Sequence, residues 1–104
     1  EAWIEVKNVT LAEGDLARFP DAVTARGLKH LGELMERVQE GHRAAMVYVI
    51  QRADGRRFSP ADDVDPAYGA GLRAAVAAGV EAVALRCVVD AVGVTIAEAV
   101  PILL

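Results

Sequence analysis

The stretch from Thr24 to Ile50 constrains the fold more than any other part of this chain. Thr24 offers an N-cap hydroxyl, and from Ala25 to Glu40 the apolar residues Leu28, Leu31, Met35 and Val38 recur at helical spacing, with Leu34 alongside. Gly41 then supplies a left-handed stop. Directly after it, Ala44 to Ile50 is a near-continuous apolar run, the pattern of a strand covered on both faces. A capped amphipathic helix leading into a buried strand implies parallel strands joined by crossover helices.

The same logic reads the remainder. Ala2 to Thr10 alternates, with Ala2, Ile4 and Val6 on one side and Trp3, Glu5 and Lys7 on the other, as in a strand with one apolar and one working or solvated face. Leu11 to Val23 reads as a loop anchored by Phe19, and Ala53 to Asp65 as a long polar connection with turn signals at Asp54-Gly55 and Ser59-Pro60. Asp65-Pro66 is an N-cap followed by proline at the first helical position, and opens a second helix that runs to about Ala78 and stops at Gly79. Val80 to Val89 is a further apolar strand, Asp90 to Gly93 a turn, Val94 to Ala97 a returning strand, and Ala99 to Leu104 an apolar tail. The expected architecture is α/β, with a mixed, mainly parallel sheet flanked by helices in the order β-α-β-α-β-β.

At 104 residues there is room for one domain, 1–104, and no linker divides it. A hydrophobic content of 54% excludes intrinsic disorder, and a single cysteine, Cys87, excludes an internal disulfide framework. The longest apolar runs fall far short of the ~20 residues that span a bilayer. Residues 1–57 hold nine Lys/Arg against nine Asp/Glu, and residues 58–104 hold two against six. The net charge of −4 is thus confined to the second half, which leaves a local basic face possible in the first. A lone cysteine without a signal-peptide pattern points to the cytoplasm. The chain opens inside a strand with no Met, so further residues are expected upstream.

Three groups of residues could carry chemistry. Glu5 and Lys7, two apart on a strand, project from one face. A carboxylate there can hold Mg²⁺ and an adjacent ammonium can orient a water or offset phosphate charge, although a solvated surface pair has the same spacing. Arg26, Lys29 and His30 occupy the first two turns of the long helix, where the helix dipole disfavours cations, so an external phosphate is one explanation and a solvated face the other. Asp21 precedes them as a further phosphate-site candidate or a turn residue, and Thr24 is a cap. Gln51-Arg52 closes the buried strand, at the carboxyl end where ligands of α/β sheets gather, and Arg56-Arg57 is a basic pair in the following loop. Cys87 reads as a buried thiol, and Asp62, Asp63 and Asp65 lack the spacing of a calcium loop.

In combination these segments resemble the C-terminal domain of the sugar fermentation stimulation protein family. The resemblance is carried by Glu5 to Leu11, Phe19-Pro20-Asp21-Ala22, Thr24, Arg26-Gly27, Lys29-His30-Leu31 and Glu33-Leu34, then Val49-Ile50-Gln51-Arg52, Phe58, Pro60-Ala61-Asp62 and Asp65 to Tyr68. It implies a restriction-endonuclease-like core of the PD-(D/E)xK type, in which Glu5 and Lys7 match the (D/E)xK half. It also implies that the partner acid, its strand and an N-terminal OB-like domain lie upstream of this chain. Family members are prokaryotic cytoplasmic proteins associated with DNA binding and with regulation of sugar (maltose) metabolism.

The expected function is accordingly DNA binding by a nuclease-like domain, mainly through phosphates. Glu5, Lys7 and Gln51 are the candidate catalytic residues, with Glu5 also a metal ligand; Asp21, Arg26, Lys29, His30, Arg52, Arg56 and Arg57 are the candidate phosphate contacts. A Mg²⁺-dependent endonuclease of the intact protein is the first alternative. A self-associating domain without activity, motivated by the acidic second half and the tail Val100-Pro101-Ile102-Leu103-Leu104, is the second.

Overall fold

In the computed structural model, which describes residues 2–52, 54–90 and 93–104, two β-sheets share one core with two helices. In chain order the elements are β1 (Ala2–Val9), β2 (Leu11–Glu13), β3 (Leu16–Phe19), α1 (Ala25–Gln39), β4 (Arg43–Ile50), β5 (Arg57–Pro60), α2 (Pro66–Ala77), β6 (Glu81–Asp90) and β7 (Gly93–Val100). The larger sheet has the order β1-β4-β6-β7. β1, β4 and β6 are parallel and joined through the helices, while β7 returns antiparallel to β6.

The expected α/β architecture holds, with two departures from the expected elements. Leu11 to Val23, expected as a loop, contains the hairpin β2–β3, and the polar connection after β4 contains β5. Together they make a second sheet, β2-β3-β5. These strands are three or four residues long, too short to establish a readable alternation, and β5 gains its backbone partner β3 only from a distant part of the sequence. The turn at 91–92 lies outside the described residues.

The second departure concerns β4. Its burial alternates, with Ala44, Met46, Tyr48 and Ile50 buried and Ala45, Val47 and Val49 only half-buried. Both helices pack on the Met46–Tyr48–Ile50 side, through Leu31 and Leu34 of α1 and Tyr68, Leu72 and Ala75 of α2. The opposite face is left largely open, and Ile4 and Val6 on it are 63% and 54% exposed. An apolar run therefore marked one helix-covered face and one open apolar face, because hydropathy cannot say which side a helix takes.

The helix ends follow the sequence closely. Thr24 Oγ1 accepts from the Gly27 amide at 2.9 Å, and Asp65 Oδ1 accepts from the Tyr68 amide at 3.1 Å. The other oxygen of Asp65, which is buried, accepts from the Thr24 amide at 2.9 Å, so one carboxylate ties the starts of both helices together. Both phenylalanines and both tyrosines of the chain meet in one cluster. Tyr48 stacks on Phe58 with centroids 4.3 Å apart, and Phe19 lies edge-on to Tyr68 at 5.3 Å. Phe19 thereby anchors its segment as expected.

The apolar tail is seated rather than free. Phe58 donates its amide to Pro101 O at 2.9 Å, and Leu103 donates to Phe58 O at 2.7 Å. Val100 is buried and Ile102 packs against the core, whereas Leu103 and Leu104 remain exposed.

Candidate functional site

β1 is an edge strand of the larger sheet, and the helix-side face of its alternation carries Trp3, Glu5, Lys7 and Val9. Opposite Glu5 and Lys7 runs the polar side of α1. His30, one turn into that helix, reaches the strand: its Nδ1 stands 2.9 Å from Lys7 Nζ and 3.1 Å from Glu5 Oε1, and Lys7 and Glu5 are themselves 3.6 Å apart. All three side chains are partly buried. One imidazole nitrogen thus faces an ammonium and a carboxylate. As an unprotonated nitrogen it accepts from Lys7; carrying a proton it donates to Glu5; it cannot do both.

Beside this trio lies a hollow of about 290 Å³ lined by Trp3, Ile4, Glu5, His30, Glu33, Leu34 and Arg37. The Arg37 guanidinium sits over the Trp3 indole, 5.4 Å from its centroid. The helical spacing suggests an ion pair of Glu33 with Arg37, but Arg37 instead reaches Glu36 at 3.4 Å and Glu40 at 3.3 Å. Glu33 consequently has no ion pair among the described residues. Trp3, Glu33 and Arg37 are site-lining residues that motif reading passes over. The signal for them was present: Trp3 precedes Glu5 and Lys7 on the same strand face, and Glu33 and Arg37 follow His30 on the helix by three and seven residues.

The other candidates occupy different surroundings. Gln51 donates from Nε2 to Asn8 Oδ1 at 2.9 Å, and Asn8 belongs to the alternate set of β1, facing away from Lys7. Arg52 is held by Asp54 at 2.9 Å and Arg57 by Asp15 at 2.9 Å. These carboxylates neutralise guanidiniums that the sequence left available; Asp54 is drawn below its ordinary pKa by the Arg52 hydrogen bond. Arg26, Lys29 and Arg56 are exposed and form no ion pair among the described residues, and Asp21 is exposed in the bend before α1. No acid stands in the first turn of α1 to offset Arg26.

As a metal centre the described residues are incomplete. Among them no group of three His, Cys, Asp or Glu side chains is arranged to hold an ion. Glu5 offers one carboxylate, already contacted by Lys7 and His30, and a hard divalent cation needs more oxygen ligands than that.

Residues 1–93 match the family model described as the sugar fermentation stimulation protein RE domain. Over 102 residues the chain is 57% identical to a sugar fermentation stimulation protein homolog of Geobacter metallireducens, covering 98% of this chain and 44% of that protein. A homolog of the same name from Rhodospirillum rubrum is 51% identical over 107 residues, covering 97% of this chain and 43% of its own length. The chain thus spans less than half the length of these relatives. Among solved structures, Pyrococcus furiosus SfsA in complex with Ca²⁺ superposes with a TM-score of 0.93 at 29% identity, over 99% of this chain and 45% of that one.

Proposed function

This chain belongs to the sugar fermentation stimulation protein family, and from that premise we propose that it is a DNA-binding, nuclease-like domain of a cytoplasmic protein serving the regulation of sugar metabolism. The observation that carries the reading is the meeting of Lys7, Glu5 and His30, across twenty-three residues of sequence, on the helix side of an edge strand. A cation held there by the fold, on a strand facing the helix that carries the exposed Arg26 and Lys29, suits a phosphate of the DNA backbone. Contacts of this kind position a duplex without reading its sequence. No helix among the described residues is long and apolar enough to cross a membrane.

Titration of a fluorescent duplex at low and rising salt tests the proposal. Affinity that falls steeply with salt and depends little on sequence is expected. The absence of binding at low salt, both by this chain and by the full-length Geobacter metallireducens relative, would overturn it.

A second reading is metal-dependent phosphodiester hydrolysis by the longer protein. It is favoured by Glu5 and Lys7 sharing one strand face and by the Ca²⁺ complex of the Pyrococcus furiosus relative. Glu5 would supply one ligand to Mg²⁺ there and the remaining oxygen ligands would come from outside this chain; such an ion would contribute Lewis-acid chemistry at a phosphate. Plasmid nicking with Mg²⁺ or Mn²⁺ separates the readings: loss on substituting the lysine equivalent to Lys7 supports hydrolysis, and nicking unchanged by that substitution refutes it.

A further inference from the structure

Resting on the DNA-binding reading above, we propose that the hollow between β1 and α1 is a slot for one unstacked nucleobase, so that the preferred ligand is single-stranded or frayed DNA. Four observations support it. Trp3 is 42% exposed at the mouth of the hollow, so part of its indole stays open to solvent although Arg37 lies over the ring and the His42 ring stands edge-on 6.5 Å away. Arg37 lies over that indole and is itself a planar group on which a base can stack. Glu33 lines the cavity together with Glu5, and a carboxylate there can accept hydrogen bonds from the exocyclic amine of a base. Glu33 has no cation holding it among the described residues, because Arg37 is engaged by Glu36 and Glu40.

The slot shares Glu5 and His30 with the Lys7 cluster. A strand whose phosphate lies at Lys7 would therefore present the adjacent base to Trp3 and Glu33. A paired base inside a duplex is stacked on its neighbours and cannot enter, whereas one at a frayed end or in a single strand can. At about 290 Å³ the hollow has room for one ring system.

Trp3 is the only tryptophan of the chain, so tryptophan fluorescence reports on the surroundings of this one indole. Titrate this chain at low salt with a short oligodeoxyadenylate, with an abasic strand of the same length, and with the blunt duplex. The expected result is tighter binding of the base-containing strand than of the abasic one by about 5- to 160-fold, the range of one base–aromatic stack, with quenching of Trp3 by the former only. In Trp3→Ala the advantage over the abasic strand disappears while abasic binding persists. Equal affinity of the base-containing and abasic strands for the unsubstituted protein would overturn the slot and leave phosphate binding intact. Binding of neither strand nor duplex would overturn both. The comparison on the unsubstituted protein decides the matter even if Trp3→Ala proves unstable, and Arg37→Gln, which keeps a polar side chain of intermediate length, supplies a second variant with the same expected loss of base preference.

Discussion

Lys7 Nζ stands 2.9 Å from His30 Nδ1, joining the third side chain of β1's helix-facing row to the second turn of α1. Neither residue alone distinguishes a binding site from a solvated surface. Their contact fixes a flexible ammonium next to the Glu5 carboxylate and sets the side of the strand on which chemistry can occur.

That contact ranks the basic residues for DNA binding. Lys7→Ala is expected to weaken duplex affinity several-fold, uniformly over sequences, and to reduce the salt slope by about 1. Arg52→Ala and Arg57→Ala should change both much less, since Asp54 and Asp15 are hydrogen-bonded to those guanidiniums at 2.9 Å, closer than the 3.6 Å at which Glu5 stands from Lys7. Anisotropy titrations across a salt series measure the difference, and equal slopes for Lys7→Ala and the unsubstituted protein would contradict the assignment.

The phenol oxygens of Tyr48 and Tyr68 are 2.6 Å apart in the core, each the other's partner. Tyr68→Phe leaves the Tyr48 hydroxyl buried without that partner and should cost about 1–3 kcal/mol. Replacing both by Phe removes the orphan, so the double variant should lose less than the sum of the singles. Denaturant unfolding of the three variants, closed as a cycle, measures the coupling.

The same pair sets the alkaline limit of stability. Burial raises the Tyr68 phenol from its ordinary 10.0 to about 12 and raises Tyr48 further. Between those pH values the unfolded chain releases phenolic protons that the folded chain retains. Folding stability is therefore full below about pH 10 and declines as pH rises through 12. A thermal-melting series should show this decline, and Tyr68→Phe should reduce its steepness.

Two glycines of α1 separate opposite expectations. A Cβ at Gly32 would meet nothing within 4 Å, so Gly32→Ala should stabilise by about 0.5–1 kcal/mol through helix propensity. A Cβ at Gly27 would lie 2.8 Å from Thr24 Cγ2 and 3.2 Å from Tyr68 Cε2. Gly27→Ala must displace the capping threonine or the buried tyrosine and should destabilise the fold. Thermal melting of the two variants checks the sign of each.

Asp65 is the remaining point of leverage. Asp65→Ala removes the α2 cap and the tie to the Thr24 amide together, with an expected cost of about 2 kcal/mol in urea unfolding.

What the sequence determined by itself were the elements whose signals are local. Thr24 and Asp65 caps, the Gly41 and Gly79 stops, the 3.6-residue stripe of α1 and the alternation of β1 place both helices and the strands β1, β4 and β6 within a residue or two. These depend on neighbours a turn or a step away. Pairings between distant segments were decided only in the tertiary structure. The second sheet needs β3 to meet β5, the open face of β4 depends on both helices choosing the other side, and Arg57 loses its free charge to Asp15, an acid that folding delivers. The site divides in the same way. Glu5, Lys7 and His30 were legible as residue types on one strand face and one helix face, but the 2.9 Å contact and the hollow beside Trp3 arise because α1 crosses β1 at that turn, and a crossing geometry is written in packing rather than in any local pattern.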